Sequence, residues 1–187
     1  LKILYLFLFK DIIFNKFCTI RFTTEDEKEN MASWLKLKST SVVIPNAFSM
    51  QEIRNFPEKC MFKSKFKIYN DKKYILFLGR INKKKGLDLL IKAFKHLSEE
   101  YSDLLLVISG PDSDGYKIEL DKLINELGLE KKVIFTGMLE GKDKASAFID
   151  SEMFVLSSYS ENFAVSVVEA MSCGVPVIIS NKVGIYK

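Results

Sequence analysis

Histidine is nearly missing from this chain, and cysteine, proline and arginine are scarce. His96 is the one histidine of 187 residues, and the three cysteines, Cys18, Cys60 and Cys173, stand far apart with no C-x-x-C pair. No zinc set can be assembled from them, so no metal is expected. An odd, scattered cysteine set also argues against a disulfide scaffold and for a reducing, cytoplasmic setting. Arg21, Arg54 and Arg80 are the only arginines, and the remaining positive charge is lysine spread along a chain of net charge +4. Without a basic arm or stripe, nucleic-acid binding is not expected. Long apolar runs are missing too. The stretch 1–9 is apolar, but Lys10 and Asp11 break it well short of the roughly 18–20 residues a membrane span needs. No small-residue cleavage site follows it. It reads as a helix packing on another element, or as a segment lying on a membrane surface.

What is present is a globular composition, 48% apolar and 28% charged, with enough apolar residues for a core. From residue 74 the pattern becomes regular. Short apolar runs at 74–78, 104–108, 133–135, 153–156 and 177–179 read as buried strands. Between them, Leu87, Leu90, Ile91, Phe94 and Leu97 follow helical spacing, as do Leu120, Leu123, Ile124 and Leu127 before the stop at Gly128. Shorter helices are expected over 142–150 and 164–173, the second ended by Gly174 and Pro176. Strands alternating with helices predict an α/β fold, a Rossmann-like parallel sheet with helices on both faces.

Residues 1–72 have another character. A strand is expected over 18–23. Thr24-Glu-Asp-Glu27 then forms a capping box that opens a helix carrying Met31, Trp34 and Leu35. A short strand at 41–45 ends at Pro45, and 46–72 reads as a linker of mixed charge without a strong period. The chain opens in mid-pattern and stops soon after its last strand, so it reads as part of a longer protein, cut at both ends.

Open α/β sheets bind ligands at the carboxyl ends of their strands. The tips here are 79–86, 109–112, 136–138 and 157–162, and each is polar or holds glycine. Arg80 and Lys85 place two cations beside the first tip, which suits a diphosphate: arginine offers a planar fork and lysine a mobile point charge. Gly79 lets the backbone come close. After the fourth tip a helix begins near Asn162 or Phe163, and its free N–H groups favour an anion. Glu161 precedes that helix. Glu169 lies eight positions on, roughly 12 Å along a helix axis. That separation is too long for two carboxylates acting on one bond. It suits two clamps on the opposite ends of one extended ligand, because a carboxylate accepts from both hydroxyls of a vicinal diol. Solvation of the lysine-rich turn, capping by Glu161 and a surface ion pair at Glu169 are the competing structural explanations. His96 is expected in solvent and Cys173 as a small apolar residue. No G-x-G-x-x-G follows a strand and no G-x-x-x-x-G-K-[ST] occurs, which excludes the usual dinucleotide and P-loop signatures.

Five pieces in order resemble the retaining glycosyltransferases of the GT-B fold, glycosyltransferase family 4, the glycosyl transferases group 1 set. They are Phe77-Leu-Gly-Arg80 with Lys85-Gly-Leu-Asp-Leu-Leu, Leu106-Val-Ile-Ser-Gly-Pro, Val133-Ile-Phe-Thr-Gly137, and the stretch from Glu161 to Ile178. Weaker likeness reaches Phe22-Thr-Thr-Glu-Asp-Glu-Lys28 and Val42-Val-Ile-Pro-Asn46. The resemblance implies a remnant of an acceptor domain over 1–45, an interdomain linker over 46–72 and an incomplete nucleotide-sugar domain over 73–187. It implies a UDP- or GDP-sugar donor, transfer with retention, and no metal or other cofactor. Arg80 and Lys85 would bind the diphosphate, Glu169 the ribose and Glu161 the donor sugar. Backbone groups of Asn162, Phe163, Ala164 and Val165 would meet sugar or phosphate. The turn at Gly137, Met138 and Leu139 would lie against the base. A glycan or lipid-linked acceptor, as in polysaccharide synthesis, and peripheral contact with the inner membrane face are implied for the whole protein, and little activity for this stretch alone. The family often has glycine where Ala164 stands. A non-catalytic nucleotide-sugar-binding module and a sugar-nucleotide epimerase on the same fold are the alternatives. An epimerase needs further histidine sites that a chain with one histidine does not offer.

Overall fold

A computed structural model describes residues 9, 19–35, 39–47 and 57–186, with the backbone alone for 32–35. The apolar run at 1–8, Cys18, Arg54 and the first part of the expected linker lie outside the described residues, as do the side chains of Trp34 and Leu35.

In chain order the elements are β1 (Thr19–Phe22), α1 (Glu25–Leu35), β2 (Thr40–Val43), α2 (Met61–Lys65), β3 (Lys73–Leu78), α3 (Leu87–Glu100), β4 (Leu104–Ser109), α4 (Lys117–Glu126), β5 (Val133–Gly137), α5 (Gly141–Ile149), β6 (Met153–Leu156), α6 (Val165–Ser172) and β7 (Val177–Ile179). Five strands form one parallel sheet in the order β5-β4-β3-β6-β7. This is the α/β, Rossmann-like arrangement expected from the alternating pattern. Sequence order reverses at β3, which has β4 on one side and β6 on the other. The switch point of the sheet therefore lies at the carboxyl end of β3, where such sheets leave a crevice.

The central strands are apolar throughout because helices cover both faces. Tyr74, Ile75, Leu76 and Phe77 of β3 and Leu106, Val107 and Ile108 of β4 are all buried. Each large side chain so placed contributes about 1.5–3 kcal/mol relative to exposure. Leu87, Leu90, Ile91 and Phe94 form the buried stripe of α3. Leu97 continues the spacing but is exposed, as is Tyr101, because the last turn of α3 runs past the core. Between β4 and β5 the register slips at Ile108 and Ser109, so that Ser109 pairs with Gly137. The extra residue, Thr136, sets its hydroxyl 2.6 Å from that of Ser109.

The expected linker is not free of structure. Its second half contains α2, and Phe62 of that helix is buried against the rings of Phe66 and Tyr74. The carboxylate of Asp150 accepts from the N–H groups of Cys60, Phe62 and Lys63 and so caps α2 from the end of α5. Tyr74 donates its buried hydroxyl to the carbonyl of Ala147 at 2.7 Å. A short helix held by a distant aspartate leaves no local period to read.

β1 and β2 pair in parallel as a separate two-stranded sheet joined by α1. Thr24 caps α1 through its hydroxyl on the N–H of Glu27. Glu27 reaches back one residue further than a standard capping box, to the N–H and hydroxyl of Thr23. Arg21 ties the end of this unit together by donating to the carbonyls of Ile44 and Pro45.

α6 begins from Ala164, whose φ of 53° and ψ of 71° lie in the left-handed region. An alanine there carries strain of roughly 1–2 kcal/mol, and its methyl group is packed in the core. A branched residue has no comfortable rotamer in that backbone. Ala164→Val is therefore expected to lower stability by more than about 2 kcal/mol. Ala164→Gly, which removes both the strain and the buried methyl, is expected to stay within about 1 kcal/mol of the parent. Urea denaturation of the three proteins checks the order.

Candidate functional site

The carboxyl ends of β3, β4 and β5 line up through backbone bonds. Gly79 N–H donates to Ser109, Ile81 N–H to Pro111, and Gly110 N–H to Gly137. Gly110, at φ 145°, passes so close to β3 that a Cβ would stand 1.9 Å from the carbonyl oxygen of Gly79. Beside these tips opens a cavity of about 640 Å³. It is lined by Gly79, Arg80, Gly110, Pro111, Met138 and Leu139, and on its far side by Lys144 of α5 and Glu169 of α6.

Arg80 is exposed and has no protein partner for its guanidinium among the described residues. Glu169 is nearly buried, at 8% exposure. Its Oε1 accepts from the Lys144 ammonium at 2.7 Å. The pairing explains how a carboxylate survives on the apolar stripe of α6: a buried charge needs a partner and hydrogen bonds. Burial, and after it the Glu169 carboxylate, pushes the thiol of the neighbouring Cys173 up from its ordinary pKa, against the lowering effect of Lys144. Cys173 therefore stays a protonated, inert thiol at neutral pH.

The loop 79–86 and the loop after β6 are laced together. Tyr159 N–H donates to the carbonyl of Lys84, and Ser157 donates its hydroxyl to the carbonyl of Gly86 at 2.7 Å. Gly86 is left-handed, at φ 62°, and a Cβ there would stand 2.2 Å from the Ser157 carbonyl oxygen. This docking brings the ammonium of Lys85 onto the carboxylate of Glu161 in a partly buried ion pair. Glu161 itself is fixed by its backbone, its N–H on Lys182 and its carbonyl accepting from Gly184.

The sequence-predicted residues fall into three groups. Gly79, Arg80, Met138 and Glu169 share the large cavity. Lys85 and Glu161 pair with each other and are not among its lining residues. The side chain of Lys85 runs beside Gly79, and Glu161 lines a second cavity instead. Gly137 holds the strand end at φ 75° behind Met138, and Phe163, Ala164 and Val165 form the entry to α6. Asn162 turns the other way and donates its amide to Glu27 of α1 at 3.0 Å. Asp112, at one of the polar tips, caps the start of α4 by accepting from Tyr116 and Lys117 N–H. His96 is exposed. Lys144 escaped the sequence reading. A buried glutamate demands a cation, but no spacing rule tells which of the 28 Lys and Arg residues supplies it. Among the described residues no cluster of three or more His, Cys, Asp or Glu is placed to hold a metal ion, and no helix is long and apolar enough to cross a membrane.

Residues 60–187 match the family model described as glycosyl transferases group 1. Among curated proteins, an uncharacterized glycosyltransferase of Methanocaldococcus jannaschii is 28% identical over 174 residues, 91% of this chain and 44% of that protein. Among solved structures, a sucrose-phosphate synthase from Thermosynechococcus elongatus superposes with a TM-score of 0.81 at 22% identity, covering 96% of this chain and 44% of that one. The Anabaena protein HepE, solved in complex with UDP-glucose, gives a TM-score of 0.79 at 22% identity over 91% of this chain and 47% of its own. The chain thus spans less than half the length of these relatives.

If Lys144 neutralises Glu169, removing the lysine alone leaves a buried carboxylate unpaired. Lys144→Met is expected to cost about 1–3 kcal/mol, and adding Glu169→Met is expected to recover most of it. A denaturant double-mutant cycle reads the coupling. Additive losses would mean that the two side chains act independently.

Proposed function

The chain belongs to the glycosyl transferases group 1 family, and from that premise we propose that it carries the donor-binding half of a retaining family 4 glycosyltransferase of the GT-B type. Residues 73–187 form the donor domain in this reading and 1–45 belong to the acceptor side. Residues 46–72 join them, with α2 docked on the donor side. A cytoplasmic setting agrees with the free thiols of Cys60 and Cys173.

The observation that carries the reading is the composition of the large cavity. An arginine with no protein partner among the described residues stands at the switch point, glycine backbone lies beside it, and a nearly buried carboxylate closes the far end. A nucleoside diphosphate fits that order of groups. Arg80 forks onto phosphate oxygens, Glu169 accepts from the ribose diol, and Met138 lies against the base. HepE, of the same fold, is solved with UDP-glucose, which favours UDP over other diphosphates as the first ligand to try. The first-turn N–H groups of α6 add positive potential toward the phosphate and sugar. Glu161, expected on the donor sugar, lines the second cavity and reaches the donor side through its ion pair with Lys85.

During transfer the bond between the anomeric carbon and the diphosphate oxygen breaks, and the diphosphate leaves with the electron pair. A new bond forms from the acceptor hydroxyl to the same face of that carbon, and the hydroxyl proton passes to the departing diphosphate. Arg80 and Lys85 stabilise the charge that develops on the leaving oxygens.

Titration with UDP, GDP and ADP by calorimetry tests the donor assignment. A charged hydrogen bond is worth about 1.5–3 kcal/mol, about tenfold to hundredfold in affinity. Arg80→Ala and Glu169→Ala are expected to weaken UDP binding by at least about tenfold. Lys85→Ala is expected to weaken it less, because part of the lysine's attraction is already spent on Glu161. Unchanged binding in all three variants would overturn the site.

A further inference from the structure

Glu169 is held by one of its two carboxylate oxygens. Oε1 accepts from the ammonium of Lys144 at 2.7 Å. Oε2 has no protein partner among the described residues, and it is not sealed off from solvent. Both residues line the large cavity, so the second oxygen is open to a ligand there. A glutamate inside a helix can turn about three side-chain torsions, and a charged hydrogen bond from a fixed donor removes much of that freedom. The buried neighbours on α6, Val167 and Ala170, carry no polar group that could do so instead.

The donor is itself well supported. Lys144 stands in the first turn of α5, and that helix is anchored on two sides. Toward the sheet, Ala147 and Phe148 are buried in the core, and the carbonyl of Ala147 accepts from the Tyr74 hydroxyl of β3. Toward α2, Asp150 holds the N–H groups of Cys60, Phe62 and Lys63, and Asp143 pairs with Lys65. A group carried on a rigid element and locked by its own supports holds its target more closely than a loop does. A vicinal diol needs that closeness. Its two hydroxyls reach the two oxygens of one carboxylate only when the carboxylate is turned toward both. Oε1 has lone-pair capacity for a hydroxyl besides the ammonium. A single hydroxyl is satisfied over a wider range of carboxylate orientations than a pair.

We propose that Lys144 is a positioning residue: by fixing the Glu169 carboxylate, it makes the cavity select a ribonucleoside diphosphate over its 2′-deoxy counterpart. The inference rests on the donor reading above. The lysine acts through Glu169 and needs no contact with the nucleotide. It also offsets the charge of Glu169, which would otherwise repel the diphosphate held by Arg80. That second effect is blind to the sugar, because the two nucleotides carry the same diphosphate. The ratio of their affinities cancels it and reads the orientation of the carboxylate alone.

Calorimetric titration of the 187-residue chain with UDP and with 2′-deoxy-UDP measures that ratio. The parent is expected to prefer UDP by about tenfold or more, as for one hydrogen bond to a charged group. In Lys144→Met the preference is expected to fall below about threefold, the level of a hydrogen bond that is only partly kept. Lys144→Arg, which keeps a charged donor, is expected to retain more of the preference than Lys144→Met. Lys144→Gln, which removes the charge and shortens the reach, gives the same reading if the methionine variant does not fold. A preference that survives unchanged without the lysine would reduce Lys144 to a stabilising partner and overturn the proposal, leaving the donor site in place. Equal binding of the two nucleotides by the parent would overturn it as well, because no reading of the ribose would exist to be positioned. If the parent does not bind UDP at all, the donor reading fails and this inference falls with it.

Discussion

Gly86 has no room for a side chain. Its backbone rests on the carbonyl of Ser157, with 2.2 Å between that oxygen and the place a Cβ would occupy. Two loops from opposite sides of the sheet's switch point meet there, one following β3 and the other β6. The Lys85–Glu161 pair is carried on those loops. Lys85 is the neighbour of Gly86, and Glu161 lies four residues past Ser157. Their ion pair exists because the backbones are docked.

The two glutamates have been given different neighbours. Glu161 sits at the end of a loop, held at N–H and carbonyl by Lys182 and Gly184, and its charge is matched by Lys85. Glu169 sits on a helix, nearly buried, and its charge is matched by Lys144 from α5. Each carboxylate has a lysine ammonium in contact. The eight-residue spacing leaves Glu169 on the first cavity and Glu161 on the second.

Strand positions, helix periods and the strand-tip loops were readable because each rests on a local pattern. β6 and β7 fall where short apolar runs stand, and Gly79, Arg80, Met138 and Glu169 meet at the tips where a parallel sheet binds ligands. What was not readable depends on pairings between distant residues. α2 is held by Asp150, 88 residues away from its Phe62 partner. Glu169 is held by Lys144, and Asn162 by Glu27 across 135 residues. Leu97 obeys the helical period and is still exposed, because a period says which face a residue is on and not where the core ends. Ala164 carries no sign in composition that its backbone is left-handed. Its place before a helix, and the glycine that the resembled family often has there, hint at it.

The different states of Arg80 and Lys85 bear on what each contributes to the proposed transfer. Arg80 has no protein partner among the described residues, so it can give its full attraction to a diphosphate already present in the bound donor. Lys85 is engaged with Glu161. Turning it toward phosphate costs part of that pair, and in the bound donor, where the bridging oxygen carries little charge, the exchange gains little. As the bond to the sugar breaks, negative charge builds on the leaving oxygen and the exchange becomes favourable. An interaction that strengthens only as the bond breaks lowers the barrier without deepening the ground state. In the proposed transfer, the Lys85–Glu161 ion pair would hold back a cation until charge appears for it to meet.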